Sequence, residues 1–223
     1  MRTYKYDVHV HTSEVSPCGR IGAREVVNLY KEAGYDGIVI TDHYFDGYFE
    51  KYHSCSWDEK MVCFLEGYRK AREEGKNIGL NVLLGIELRF VGSINDYLVF
   101  GVTEEFLKNN PELYKLNLQQ FNELKKGHDI LIYQAHPFRP NQAIERAGLL
   151  DGIEVYNGNP RHDSRNYLAY SFALEDGLRM ISGSDCHQLE DVARGGIVTM
   201  EDITDEAGLV EVLRKEAISL IME

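Results

Sequence analysis

Two histidines stand one residue apart in the apolar run Asp7-Val-His-Val-His-Thr-Ser13. Successive strand side chains point to opposite faces, so His9 and His11 share a face with Asp7 while Val8 and Val10 take the other. A buried imidazole with no hydrogen-bond or metal partner costs about 1–3 kcal/mol. Other parts of the chain must therefore supply partners for both. Candidates recur at the ends of later apolar runs: Asp42-His43, Glu87, His136, Glu154 with Asn157, and Ser184-Asp185-Cys186-His187. Histidine, aspartate and glutamate together form the ligand set of divalent ions such as zinc, manganese or iron, bound at roughly 2.0–2.2 Å. A carboxylate can bridge two ions and an imidazole cannot, so Glu87 is the expected bridge of a two-ion centre. Asp185 and His187 repeat the i, i+2 spacing of the opening pair.

The elements that must position these groups alternate along the chain. Short apolar runs rich in Ile, Val, Leu or Tyr predict strands over Tyr6–His11, Gly37–Thr41, Leu80–Glu87, Tyr97–Val102, Ile130–Ala135, Gly152–Tyr156 and Arg179–Ser182. Helical patterns fall at Ala23–Ala33, Asp58–Glu74, Pro111–Lys126 and His162–Glu175, each followed by a glycine suited to a left-handed cap. The remainder, Ile197–Glu223, reads as a strand, a helix over Glu206–Glu216 and a short apolar piece. Polar residues at the ends of many different strands converge in a barrel and spread out in an open sheet. The expected fold is therefore α/β, a distorted TIM-like barrel with its site at the C-terminal ends of the strands. No Pro/Gly/Ser-rich tract or charge block divides the 223 residues, which read as one domain, 1–223.

Composition excludes other classes. A formal net charge of −12 argues against a stable nucleic-acid partner or an anionic membrane, and fits bound cations. No apolar run is long enough to span a bilayer, no export signal opens the chain, and Cys18, Cys55, Cys63 and Cys186 lack paired spacing, so a reducing cytoplasm is expected. Neither GxSxG nor a Cys/His catalytic pair occurs, and there is no phosphate-binding glycine loop. His53, His128 and His162 read as solvated surface.

The motifs HVHT, TDH, GIE, AHP and SDCH, in that order, resemble the PHP family, the polymerase and histidinol phosphatase domain, over nearly the whole chain. The resemblance implies a distorted (β/α)7 barrel, two or three divalent ions (zinc, manganese or iron) and phosphoesterase activity. Carried over, His9, His11, Glu87 and Asp185 would hold one ion, Glu87 and His136 a second, and His43 with His187 a third. Two positions depart from the pattern. Asp96 stands where members often have a histidine for the second ion, and Glu14 or Cys18 must complete the third site. Glu14 is preferred, since a carboxylate keeps the site hard.

Bound ions acidify water and neutralise a phosphoryl group under in-line attack. Phosphate also needs cationic contacts, for which Arg139, just past His136, is the first candidate and Arg161, Arg20 and Arg194 come after it. Tyr44 with Phe45 and Tyr48 either packs or lines the mouth, where it would suit a nucleotide base. Asp185, Asp42 or a metal-bound water could protonate the leaving group. The expected activity is hydrolysis of a small phosphorylated metabolite or nucleotide, histidinol-phosphatase-like. The alternatives are amidohydrolase-like attack on a C–N or C–O bond, and a non-catalytic metal-binding module.

Overall fold

Every predicted strand forms, within a residue or two at each end, in the computed structural model, which describes residues 2–223. In chain order the strands are β1 (Tyr4–Val10), β2 (Gly37–Ile40), β3 (His43–Tyr44), β4 (Asn81–Leu88), β5 (Tyr97–Phe100), β6 (Leu131–Gln134), β7 (Gly152–Asn157), β8 (Arg179–Gly183), β9 (Gly195–Thr199) and β10 (Ile218–Met222). They order as β10-β9-β1-β2-β4-β5-β6-β7-β8, with β3 beside β4. The sheet curls until β8 meets β1 again: Val10 bridges Cys186, His11 N donates to the Cys186 carbonyl (3.0 Å) and Cys186 N to that of His9 (3.2 Å). The result is a nearly closed, distorted barrel of seven strands, β1, β2 and β4 to β8.

The distortion bears directly on the site. β5 runs antiparallel to both β4 and β6, because only residues 89–96 separate it from β4, too few for the helical crossover that a parallel return needs. Its reversed direction brings the start of β5, at Asp96, to the end of the barrel where β4 finishes at Leu88.

Two predicted helices divide. Asp58–Glu74 becomes Trp57–Phe64 and Glu66–Ile78, broken at Leu65 and closed by Gly79 in the left-handed region (φ 73°). The break sets Gly67 against the loop after β1, where a Cβ would lie 2.1 Å from Thr12 Oγ1 and 3.0 Å from Asp42 Oδ2. Pro111–Lys126 becomes a short 3-10 turn at Leu113–Lys115 and a helix at Leu118–Lys125, started by an Asn117/Gln120 capping box. A helix at Glu104–Asn109, capped by Thr103, was not anticipated.

The largest buried cluster packs the helices Ala23–Glu32 and Glu66–Ile78, through Val26, Tyr30, Tyr68 and Ala71, against Ile38, Ile40 and Leu84. A second gathers Tyr6, Val8, Leu83, Phe100, Tyr133 and Ile181 with Leu209, Val210 and Leu213 of the helix Glu206–Lys215. Tyr44 belongs to the first cluster. It is fully buried among Phe49, Phe64, Trp57 and Tyr114, so it is core, and the expectation that it lines the mouth is corrected.

Candidate metal centre

The strand ends bring five imidazoles together. His9 and His11 leave β1, His43 opens β3, His136 follows β6 and His187 follows β8, and their donor atoms group with Glu87, Asp96 and Asp185 in four overlapping sets. Apart from the partly exposed His43, every member is buried. His136 and Asp185 hold their positions with left-handed backbones (φ 31° and 52°), a strained conformation for non-glycine residues that concentrates at functional sites.

Hydrogen bonds decide which nitrogen each ring presents. His9 Nδ1 donates to Glu154 Oε1 (2.9 Å) and His187 Nδ1 to the Asp185 carbonyl (2.9 Å). Ser16 gives its own proton to Asp42 Oδ1 (2.7 Å), so its oxygen accepts from His11 Nδ1 (3.0 Å). His43 Nδ1 lies 2.7 Å from Glu87 Oε2. In His9, His187 and His11 the partner at Nδ1 leaves Nε2 for the cleft, the arrangement by which outer partners fix the tautomer of a metal-binding histidine, whereas His43 Nδ1 faces a candidate ligand and its Nε2 faces Cys18 Sγ (3.1 Å) and His187 Nε2 (3.4 Å). His136 differs: Gln142 Nε2 donates to its Nδ1 (3.0 Å), while Nε2 faces Glu87 Oε1 (3.1 Å). Turning the Gln142 amide over would let its unpartnered Oε1 accept from Nδ1 and free His136 Nε2 as well.

The fit to an ion can be read from orphaned atoms. Among the described residues, His9 Nε2 and His11 Nε2 are buried without hydrogen-bond partners. Two ligands each about 2.1 Å from a tetrahedral ion lie roughly 3.4 Å apart. Asp185 Oδ1 is 3.4 Å from both His9 Nε2 and His11 Nε2, and the Glu87 oxygens are 3.5 and 3.4 Å from the same two nitrogens. These separations are those between ligands of one ion and are too long for the donors to satisfy one another.

The other predicted positions divide. Asp96 does reach Glu87 and His136, but both its oxygens accept from Arg89, at 2.6 and 2.7 Å. Glu14 does not join the imidazoles: its carboxylate accepts from Ala23 N (2.9 Å) at the start of a helix and lies 3.6 Å from Lys70 Nζ. Cys18 is beside them instead, its Sγ 3.1 Å from His43 Nε2, so the preference for Glu14 is corrected. Asp42 is tied to Thr12 N, Thr12 Oγ1 and Ser16 Oγ at 2.7–2.8 Å and braces the loop after β1, with no oxygen left for a leaving group. Burial raises the Asp185 carboxyl, but His9 and Arg139 outweigh it and hold it well below the usual carboxylate range; an ionised Asp185 suits a ligand and not a proton donor. His162, read as solvated surface, lies on the rim.

Three arginines ring the same cleft, a cavity of about 160 Å³ lined by Arg89, Arg139 and Arg161 together with His136, Asp185 and His187. Arg139 Nε donates to Ser164 Oγ and its Nη2 to Asn157 and Asp185. Arg161 pairs through Nε and Nη2 with Asp191, and Arg89 in the same way with Asp96. Each guanidinium thus has one edge locked, and among the described residues no Nη1 of the three makes a hydrogen bond. A wider space of about 410 Å³, floored by Pro17 and Phe45, adjoins at Cys18, His43 and Arg89. Sequence reasoning missed Arg89, although Glu87 and Arg89 share the i, i+2 spacing that exposed the other pairs.

Two predictions arise here. Glu154 Oε2 also accepts from His136 N and Asn157 Nδ2, at 2.9 Å each. In Glu154→Gln an amide NH2 must face one set of donors or the other, and metal affinity should fall about 10–100-fold; unchanged affinity by calorimetric titration would contradict this positioning role. The second concerns pH. Burial disfavours charge on His9, but Glu154, Asp185 and Glu87 outweigh it, and Glu87 with Cys18 does the same for His43, so both rings sit well above the ordinary imidazole range. Stability from these pairs is full below the unfolded imidazole value of about 6.5 and is lost as pH rises through the higher folded value. A metal ion competes with those protons. Loading near pH 7 should release protons and affinity should weaken as pH falls, which titrations in buffers of different ionisation enthalpy will read as a buffer-dependent heat.

A barrel whose mouth gathers imidazole and carboxylate donors around orphaned nitrogens carries a candidate metal centre. Residues 163–218 match the family model described as PHP-associated. The fold is that of a two-domain Bacteroides vulgatus protein containing a predicted PHP-like metal-dependent phosphoesterase (TM-score 0.70, 19% identity), which matches 100% of this chain and of whose own length this chain spans 65%. PsfC from Pseudomonas syringae is similar (TM-score 0.66, 16% identity, 100% of this chain and 93% of that one), as is an amidohydrolase from Chromobacterium violaceum with bound sulfate and no metal (TM-score 0.54, 15% identity, 96% and 97%). No curated protein matches the sequence. The likeness to these structures is one of fold, and the PHP-associated match covers the chain's last quarter, residues 163–218.

Proposed function

We propose that the protein is a metal-dependent phosphoesterase acting on a small phosphorylated metabolite or nucleotide. One observation carries this reading: in a chain of net charge −12, three arginines line the cleft that the metal donors line, each with an unused Nη1. A dianionic phosphoryl group is the substrate for which such a rim is suited, since guanidinium groups bind its oxygens directionally. His9, His11, Glu87 and Asp185 would hold one ion and Glu87 with His136 a second. When bound, these ions supply charge neutralisation and acidify solvent at the site. Arg139, fixed by Ser164 and Asn157, orients the phosphoryl group over the donors. Arg161 and Arg89 close its flanks. The space beside Phe45 and Pro17 takes the leaving group, and its apolar floor suits an aromatic one. The buried ligands exclude bulk water from the inner side of the phosphorus.

The test is phosphate release from an aryl phosphate and from a panel of phosphorylated metabolites by protein loaded with manganese, zinc or iron. Turnover abolished by chelator and restored by metal is expected. No turnover on any phosphoester with any of the three metals would overturn the proposal.

A further inference from the structure

We infer that the outermost metal position is a thiolate site, formed by Cys18 with His43 and His187, which takes a softer ion than the carboxylate positions beneath it. It presupposes the metal centre but not the reaction proposed above. His43 and His187 bring their Nε2 atoms to 3.4 Å from each other. His187 Nδ1 donates to the Asp185 carbonyl and His43 Nδ1 lies 2.7 Å from Glu87 Oε2, so the two rings turn their Nε2 atoms to each other. At that separation both cannot carry protons, and the distance equals the roughly 3.4 Å between two ligands of one tetrahedral ion. On the inner side His11, whose buried Nε2 has no hydrogen-bond partner, groups with the same two donors within 4.8 Å. His11 Nε2 also faces Glu87 and Asp185 at 3.4 Å, and since one imidazole nitrogen binds one ion, it belongs to the carboxylate position whenever that is filled. Two imidazoles then remain on the outer side, one donor short of the three protein ligands that an open zinc site uses.

Cys18 supplies that donor. Its sulfur is 3.1 Å from His43 Nε2, and the loop holding it is pinned by Gly19 N to the Ser16 carbonyl (2.9 Å) and Arg20 N to the His187 carbonyl (2.7 Å). Glu14, the nearest carboxylate of that loop in sequence, is occupied at the helix that begins at Ala23. The outer position is therefore one sulfur and two nitrogens with an opening to the cleft, and the inner positions are nitrogen and carboxylate oxygen. Thiolate selects zinc over manganese, while carboxylate-rich positions accept manganese or iron. The centre is built to hold two kinds of ion.

The test is titration of metal-free protein with cobalt(II), because a thiolate bound to cobalt gives an intense near-ultraviolet charge-transfer absorption that imidazole and carboxylate ligands lack. The wild type should develop this absorption, and Cys18→Ser should bind one equivalent less cobalt or zinc and show none of it. Cys18 is exposed, so its replacement leaves the core intact. Cobalt bound stoichiometrically without the absorption, or an equal absorption in Cys18→Ser, would overturn the thiolate assignment. No bound cobalt at all would overturn the metal centre with it. Turnover tests the reaction separately and bears on neither outcome.

Discussion

Glu87→Gln should empty the two inner positions together and reduce kcat/KM by about 10³-fold or more. The expectation follows from where the carboxylate stands. Its Oε1 faces His9 and His136, at 3.5 and 3.1 Å, and its Oε2 faces His11 and His43, at 3.4 and 2.7 Å. Burial alone would raise this carboxyl, but His43 and His9 outweigh it and keep it ionised. An amide of the same shape keeps the volume and loses the charge, so the fold should survive while the anion shared between two cations is gone. Elemental analysis after dialysis against each metal should show at most the outer ion. Retention of two inner equivalents by the variant would refute the bridging role.

Arg139→Ala should divide binding from metal capture. The guanidinium is mostly buried, donates to Asn157 and Asp185, lines the cleft and, among the described residues, makes no hydrogen bond through Nη1. A hydrogen bond to a charged group is worth about 1.5–3 kcal/mol, so kcat/KM should fall about 10–100-fold. Metal content should not change, because Asp185 loses a competitor for its Oδ2 (2.6 Å) and keeps Oδ1 turned to His9 and His11. Kinetics and metal analysis on one preparation will check both halves. Loss of metal in proportion to activity would make Arg139 a prop for Asp185 and remove it from substrate binding.

The sequence was most legible where its period and its chemistry agreed. Alternation in DVHVH placed His9 and His11 on one face, and the common strand-end position of Asp185, His187 and His136 led to a barrel mouth. It was least legible where competing local partners decide. Glu14 and Cys18 are four residues apart in one loop, and nothing in the sequence tells that the carboxylate will cap the helix beginning at Ala23 while the thiol turns to His43. Asp96 illustrates a second limit. Its place at the mouth depends on β5 running backwards, which a connection of eight residues required, and its partner Arg89, just past the end of β4, shows in the sequence through no more than its i, i+2 spacing from Glu87. The unbroken helix drawn over Asp58–Glu74 failed for a third reason: Leu65 breaks it so that Gly67 can approach Thr12 and Asp42, a contact between distant segments that local propensity cannot foresee. Glu154 reads in the sequence as a strand-end polar residue, and only the folded chain makes it the acceptor that orients His9.

Anomalous diffraction from crystals of the protein loaded with manganese and zinc tests the centre most directly. Peaks are predicted among His9, His11, Glu87 and Asp185, between Glu87 and His136, and, with zinc, between His43 and His187. Saturated crystals with no peak inside this ring of side chains, or with ions held only at the protein surface, would contradict it.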